Sequence, residues 1–266
     1  MLDRIAELIR DVAEAELLPR FRRLAGHEIE EKSPGDIVTV ADRAAEDRLT
    51  LGLASLVPGC IVIGEEAAHA DPAILDRLAD EGVVFVVDPL DGTANFAAGR
   101  PEFAVMVAQL QRGRPVAAWI YDALGRRMAM AEAGSGTRLD GLEVRLGKAP
   151  PLAKAKGAAQ TRFLDQPWRD RLDARRHEFV DVGSTLCAGH DYLRLLGGAV
   201  DFLLYWRTLP WDHAPGCLLV QEAGGKSARP DGRAFVCDRA SRGILSAGDE
   251  SLWRQVRATL LPHLGN

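Results

Sequence analysis

The sequence predicts an α/β protein, and three observations carry that prediction. An amphipathic helix opens the chain, apolar at Leu2, Ile5, Leu8, Ile9, Val12 and Ala13 and continuing to Leu17 and Leu18, with Asp, Glu and Arg on its outer face. Five successive apolar residues, Val83 to Val87, read as a strand buried on both faces that stops abruptly at Asp88. From Phe103 the texture turns antiparallel: residues 103–111, 115–122 and 127–132 are separated by Gly-Arg-Pro, Leu-Gly-Arg and Gly-Ser-Gly turns.

The remaining elements follow in order. Glu31 to Asp36 reads as a loop, Ile37 to Val40 as a short strand, and Asp42 to Leu56 as a second helix ended by Pro58-Gly59. Ile61-Val62-Ile63 is a short strand running into Gly64-Glu65-Glu66, and Pro72 to Ala79 is helical. Asp140-Gly141 is a further hairpin signal. Residues 148–157 read as a connector, so a single domain with a soft boundary near 150 is expected: residues 1–150 as an α+β half and 151–266 as a smaller α/β half. In the second half Asp191 to Gly198 is helical, Val200 to Tyr205 a strand, and Trp211 to Ala223 a helix closed by Gly224-Gly225.

Composition narrows the class. With 266 residues, 47% apolar and 27% charged, the chain resembles an ordinary globular protein able to bury a full core. A net charge of −5 argues against a nucleic-acid surface, which normally shows a basic stripe. Cys60, Cys187, Cys217 and Cys237 form no C-x-x-C pair, which favours reduced thiols over zinc or disulfides. The N-terminus is charged from its third residue and no apolar run is long enough to span a membrane, so a cytoplasmic soluble protein is expected.

Chemistry concentrates where strands or loops meet helices. Asp88 and Asp91 bracket Pro89-Leu90 and precede Gly92-Thr93. Ionised carboxylates at the end of a buried strand are costly unless a cation binds them. Gly92 lets backbone approach a ligand, so a divalent metal with a phosphate is the simplest pair that fits. A plain turn accounts for part of the pattern, since Asp-Pro and Asp-Gly are common turn dipeptides. A haloacid-dehalogenase phosphatase also ends a strand in aspartates before Gly-Thr, but there one residue separates them and here two do. An EF-hand lacks support because its alternating ligands and closing Glu are missing. Glu65 follows the strand Ile61–Ile63, Asp42 opens a helix, and Asp212 suits the first turn of another; singly, each has a plain reading as a helix cap or loop charge. His213 reads most simply as a satisfied helix histidine, and Cys187 as a small buried thiol.

Taken together, the blocks Lys32 to Asp42, Ile63-Gly64-Glu65-Glu66, Asp88 to Phe96 and Trp211-Asp212-His213-Ala214-Pro215-Gly216 through Glu222-Ala223-Gly224-Gly225 resemble the inositol monophosphatase family of magnesium-dependent, lithium-sensitive phosphatases. The resemblance runs over essentially the whole chain and implies a layered αβαβα sandwich, commonly as a homodimer. It implies Mg²⁺, two or three ions, held by Glu65, Asp88, the Leu90 carbonyl, Asp91 and Asp212, with Asp42 holding a third ion through water. Glu65, Thr93 and Asp91 are then the catalytic residues, and Glu65 and Thr93 orient and deprotonate the attacking water without a phospho-enzyme. Gly92 and Thr93 would offer backbone N–H groups to the phosphate. Lys32 would balance the carboxylates or touch the phosphate.

The resemblance departs at the substrate. Inositol-preferring members carry an acidic residue seven positions before the aspartate of the Trp-Asp block; here that position is Tyr205. The usual Gly-Ser/Thr-Ala-Ala turn is Leu186-Cys187-Ala188-Gly189, which places Cys187 and Ala188 beside the substrate. The expected reaction is hydrolysis of a small phosphorylated metabolite, inositol monophosphate or a related sugar or polyol phosphate. Fructose 1,6-bisphosphate, histidinol phosphate and phosphoadenosine phosphate are the alternative substrates. A regulatory or RNA-binding protein retaining the fold is the alternative of another class.

Overall fold

The structure is a computed structural model and describes residues 1–33, 36–239 and 242–262; Pro34 and Gly35 of the predicted loop lie outside them. From the N-terminus, α1 (Leu2–Val12) runs into a π-helical turn at Ala13–Leu17, so the predicted first helix reaches its length with a widened last turn. A hairpin of β1 (Ile29–Ser33) and β2 (Asp36–Thr39) leads to α2 (Val40–Leu56), then β3 (Ile61–Gly64) and α3 (Glu65–Ala70). A 3-10 stretch at Pro72–Ala79 precedes β4 (Val84–Asp91) and α4 (Thr93–Ala97). An antiparallel run follows: β5 (Ala104–Gln111), β6 (Arg114–Asp122), β7 (Arg127–Glu132), β8 (Thr137–Leu139) and β9 (Leu142–Val144). The second half holds β10 (Lys156–Ala159), α5 (Gln166–Asp173), β11 (Val180–Asp181), α6 (Ala188–Leu196), β12 (Phe202–Tyr205), α7 (Pro210–Glu222), β13 (Lys226–Ala228), β14 (Ile244–Ala247) and α8 (Glu250–Leu260).

Two large sheets result. The first has seven strands in the order β3-β4-β5-β6-β7-β8-β9, parallel only between β3 and β4. The second has five in the order β11-β10-β12-β14-β13. The β8–β9 hairpin turns at Asp140 and Gly141, both with positive φ (53° and 81°), as a two-residue primed turn requires.

Period-two alternation assigns the layers. Phe85 and Val87 of β4 point to one face, where Ile5 and Ile9 of α1 and Leu49 and Leu53 of α2 cover them. Val84 and Val86 point to the other, into a core shared with Tyr192 and Leu196 of α6 and with Leu218 and Leu219 of α7. The same core takes in Leu203 and Ile244 of the five-stranded sheet. That sheet's far face buries Phe202, Leu204 and Leu245 with Trp253 and Val256 of α8 and Leu172 of α5. The layers run helix, sheet, helix, sheet, helix: the αβαβα sandwich. Among the described residues no helix is long and apolar enough to cross a membrane.

β4 differs from its predicted form in a way that builds the site. It runs past Val87 to Asp91, buried throughout. Against β5, Asp88 pairs with Met106 and Asp91 with Ala104, so three steps on β4 oppose two on β5. In a regular strand, residues three apart face opposite ways. The one-residue bulge turns Asp91 back to the face of Asp88, and Pro89, with no N–H for the ladder, sits inside it.

Candidate active site

The end of β4 is the centre of the site. Asp88 accepts the backbone N–H of Leu90 at 3.0 Å, closing a tight turn, while the Leu90 side chain is anchored in the core beneath α1 and α2. Gly92 then takes φ +87°, and a Cβ there would stand 2.7 Å from the Glu102 carbonyl. Only glycine fits this left-handed, crowded position. Thr93 begins α4, its hydroxyl 3.0 Å from both Asp42 Oδ1 and the Leu90 carbonyl.

Asp42 reaches this point from α2. The helix starts two residues earlier than expected, because Thr39 caps it and Asp42 is the third-position partner of the capping box. Asp42 Oδ2 accepts the Thr39 N–H at 2.8 Å and the Thr39 hydroxyl at 2.6 Å. Burial, only partly offset by these bonds, pushes its carboxyl up to about 7.

Glu65 opens α3 where β3 ends. Its neighbours are held by Glu46 of α2, whose carboxylate accepts the N–H groups of Glu66 and Ala67 at 2.8 Å each. Gly64 makes room for this, since a Cβ there would lie 2.1 Å from the Glu46 carboxylate. Lys32 Nζ donates to Glu65 Oε1 at 2.9 Å and to Glu66 Oε1 at 2.8 Å. Burial opposes the ammonium charge, but the two carboxylates outweigh it and hold Lys32 above its ordinary value.

From the other half, the N-terminus of α6 closes on Asp91. Its Oδ2 accepts the Gly189 N–H at 2.6 Å and the Cys187 thiol at 2.9 Å. Asp212 lies in the first turn of α7, behind Pro210 at the helix start. His213 is buried and satisfied: Nε2 meets the Arg207 carbonyl at 3.0 Å and Nδ1 the Tyr192 hydroxyl at 3.2 Å. Burial pushes it down to about 3, so it is a neutral imidazole.

One cavity of ≈ 240 Å³ gathers most of the predicted residues: Glu65, Asp88, Leu90, Asp91, Gly92 and Thr93 line it. So do Cys187, Ala188, Tyr205 and Asp212. Asp42 and Lys32 do not; Asp42 stands behind Thr93 and Lys32 beside Glu65 and Glu66. The Tyr205 hydroxyl is already engaged, donating to Asp191 Oδ2 at 2.8 Å, so the tyrosine turns its ring toward the cavity.

The electrostatics bear on a metal. Among the described residues no three His, Cys, Asp or Glu side chains already close around a common point, and Glu65 is engaged by Lys32. The donor set nevertheless fits a hard divalent cation, being carboxylate and carbonyl oxygen. Asp88 is decisive. Burial, then the charges of Glu65, Asp91 and Asp212, push its carboxyl well above the usual range. Burial raises Asp91 as well, against the donors from Cys187 and the start of α6. Carboxyl groups held so close in a buried place ionise together only when positive charge joins them.

Two positioning residues escaped sequence reasoning. Glu46 lies four residues after Asp42, one helical turn along the same face, and that spacing is the signal that would have found it. Asp191, fully buried, accepts from Ser184 at 2.5 Å, Thr185 and Arg194 at 3.0 Å and Tyr205 at 2.8 Å, and so braces the loop before α6. No local pattern announces it.

Comparison with known proteins gives a consistent family. The profile described as the inositol monophosphatase family matches residues 2–264. The chain is 32% identical over 229 residues to the chloroplastic phosphatase IMPL1 of Arabidopsis thaliana, covering 80% of this chain and 60% of that one. It is also 32% identical over 253 residues to the Nus factor SuhB of Pseudomonas aeruginosa, covering 92% and 90%. Among solved structures, the extragenic suppressor protein suhB from Bartonella henselae shares the fold with a TM-score of 0.81 at 24% identity, covering 97% of this chain and 99% of that one.

Proposed function

We propose a substrate class and a mechanism for a chain that belongs to the inositol monophosphatase family and is a phosphatase. The reaction is hydrolysis of a small phosphorylated metabolite, an inositol monophosphate or a related sugar or polyol phosphate, with Mg²⁺ as cofactor. One observation carries it: Glu65, Asp88, Asp91 and Asp212 reach the cavity that Gly92 and Thr93 also line. Glu65, Asp88, the Leu90 carbonyl, Asp91 and Asp212 would hold two ions, and Asp42 a third through water. Bound there, Mg²⁺ supplies the positive charge that acidifies the attacking water and stabilises the leaving oxygen.

The chain's own residues do the rest. Gly92 and Thr93 present backbone N–H groups to the phosphate where the strand turns into α4. The Thr93 hydroxyl has one proton and two acceptors at 3.0 Å, so when that proton turns to Asp42 its lone pairs are free to receive one from water. Asp42, held by the Thr39 N–H and hydroxyl, is the acceptor for the Thr93 proton, and Glu65 orients the water from the other side. Glu46 and Lys32 fix the start of α3 and with it Glu65. Cys187 and Gly189 hold Asp91 in its rotamer.

Phosphate release from inositol phosphates, fructose 1,6-bisphosphate, histidinol phosphate and phosphoadenosine phosphate, with and without Mg²⁺, tests the reading. Turnover is expected only with Mg²⁺ and is abolished in Asp91→Asn. No turnover on any substrate, with metal binding unchanged in Asp91→Asn, overturns it. The relatives named Nus factor support a second reading, a regulatory protein that keeps the fold; the intact carboxylate set argues that catalysis is kept beside it. We also infer a cytoplasmic homodimer, for which light scattering at micromolar concentration is the test.

A further inference from the structure

We propose that the outer end of the cavity is a subsite for a second anionic group, so that the preferred substrate is a phosphomonoester carrying a further phosphate or carboxylate. This rests on the phosphatase reading for the scissile group and narrows its substrates to sugar or polyol phosphates that carry a second anionic group. Arg162, Phe163 and Arg207 line the same cavity as the metal-facing carboxylates. The Arg207 guanidinium lies 4.3 Å from the centre of the Phe163 ring and that of Arg162 lies 5.3 Å from it. Phe163 is 43% exposed, an unusual place for a large aromatic unless it serves its neighbours. Among the described residues neither guanidinium has a carboxylate partner. Some other arginines find one, as Arg194 does with Asp191, and others such as Arg171 over the Trp168 ring do not; what distinguishes Arg162 and Arg207 is that both line the cavity.

A guanidinium held against an aromatic ring keeps its N–H edge free, and that edge matches two oxygens of a phosphate or carboxylate. The ring sets the plane; the ligand completes the pairing.

Both arginines are tied to the frame. The Arg207 carbonyl accepts His213 Nε2 at 3.0 Å, fixing it to the helix that carries Asp212, and Tyr205 packs on His213 with ring centres 4.7 Å apart. The Arg162 carbonyl accepts Arg169 Nη2 at 2.8 Å, and the same nitrogen reaches the Leu164 carbonyl at 3.0 Å, so α5 clamps the loop bearing Phe163. The pair is thereby held at a set position relative to the chemistry. A cationic alcohol gains nothing there, and a neutral polyol leaves both charges unanswered. A nucleobase would have to displace the guanidiniums to stack on Phe163.

Calorimetry on the full chain, wild type and Arg162→Gln/Arg207→Gln, tests this with matched ligands. Fructose 1,6-bisphosphate against fructose 1-phosphate probes a second phosphate; 3-phosphoglycerate against glycerol 3-phosphate probes a carboxylate. The wild type is expected to bind at least one doubly anionic ligand about 10-fold or more tightly than its singly anionic match, and the double variant to lose that preference while singly anionic ligands stay within about twofold. Equal affinities in the wild type, or equal weakening of both classes in the variant, overturn the subsite. If the double variant folds poorly, each single variant is expected to lose about threefold or more for the doubly charged ligand alone, and no selective loss in either contradicts the proposal. The titrations are run in EDTA, where no turnover occurs, so an inactive wild type in the Mg²⁺ assay would defeat the phosphatase reading while the affinity ratio still decides the subsite.

Discussion

The two ends of the cavity are built differently. At the inner end, Asp88 and Asp91 are buried on a central strand, and backbone geometry fixes what they do: a bulge, a left-handed glycine and two helix starts. At the outer end, Arg162, Phe163 and Arg207 are exposed and sit on connections between elements. The inner residues carry their charge at a cost to folding that a bound cation would offset. The outer residues are cheap to hold and easy to exchange, which is where selectivity can change without disturbing chemistry.

The comparison is most sharply broken by Asp88→Asn. Activity is expected to fall about 1000-fold or more, the loss of several kcal/mol of transition-state charge stabilisation. The metal-free protein should meanwhile become more stable at pH 7. A carboxyl raised well above its unfolded value weakens the fold as pH climbs past the ordinary carboxylate range, and asparagine removes that penalty. Steady-state kinetics and thermal melts in EDTA check both; a less stable metal-free variant would make Asp88 a structural residue. Gly92→Ala comes next. Its Cβ would meet the Glu102 carbonyl at 2.7 Å from a left-handed backbone, so roughly 1–3 kcal/mol of strain is expected, with a matching drop in phosphate release.

Glu46→Gln probes the support of the inner end. Burial pushes the Glu46 carboxyl up to about 7, against the Glu66 and Ala67 N–H groups. Its folded value lies above its unfolded one, so its contribution is fully present below about pH 4.5 and lost as pH rises through about 7. The metal-free wild type should therefore lose Tm between pH 5 and 8, and the variant should lose less of it, by roughly 2–4 °C. An unchanged slope would place the pH dependence elsewhere. The smallest effect is expected from Tyr205→Phe, which removes one donor to Asp191: about 1 kcal/mol in stability and a similar small KM change for every substrate. A KM rise confined to polyol phosphates would mean the hydroxyl touches substrate and the outer end reaches as far as Tyr205.

The sequence made the inner end readable because its devices are local. An apolar run ending in Asp88, a glycine before Thr93 and a short strand before Glu65 each leave a signature within a few residues. The buried strand and the first helix were readable for the same reason, a continuous apolar run in β4 and a helical period in α1, whereas the layering was legible only through the family resemblance. The bulge that turns Asp91 was not, since it is defined by register against β5. Glu46 has only its one-turn spacing from Asp42 to mark it, and its role appears where Gly64 brings α3 against it. Arg162 and Phe163 lie forty-five and forty-four residues before Arg207, and only packing joins them.

The most direct measurement is anomalous diffraction from crystals soaked with Mn²⁺, as a stand-in for Mg²⁺, and inorganic phosphate. Metal peaks bounded by Glu65, Asp88, Asp91 and Asp212, with phosphate beside Gly92 and Thr93, are the predicted result. No anomalous density among these carboxylates at millimolar Mn²⁺, with Lys32 still paired to Glu65, would contradict a metal-dependent phosphatase site at the end of β4.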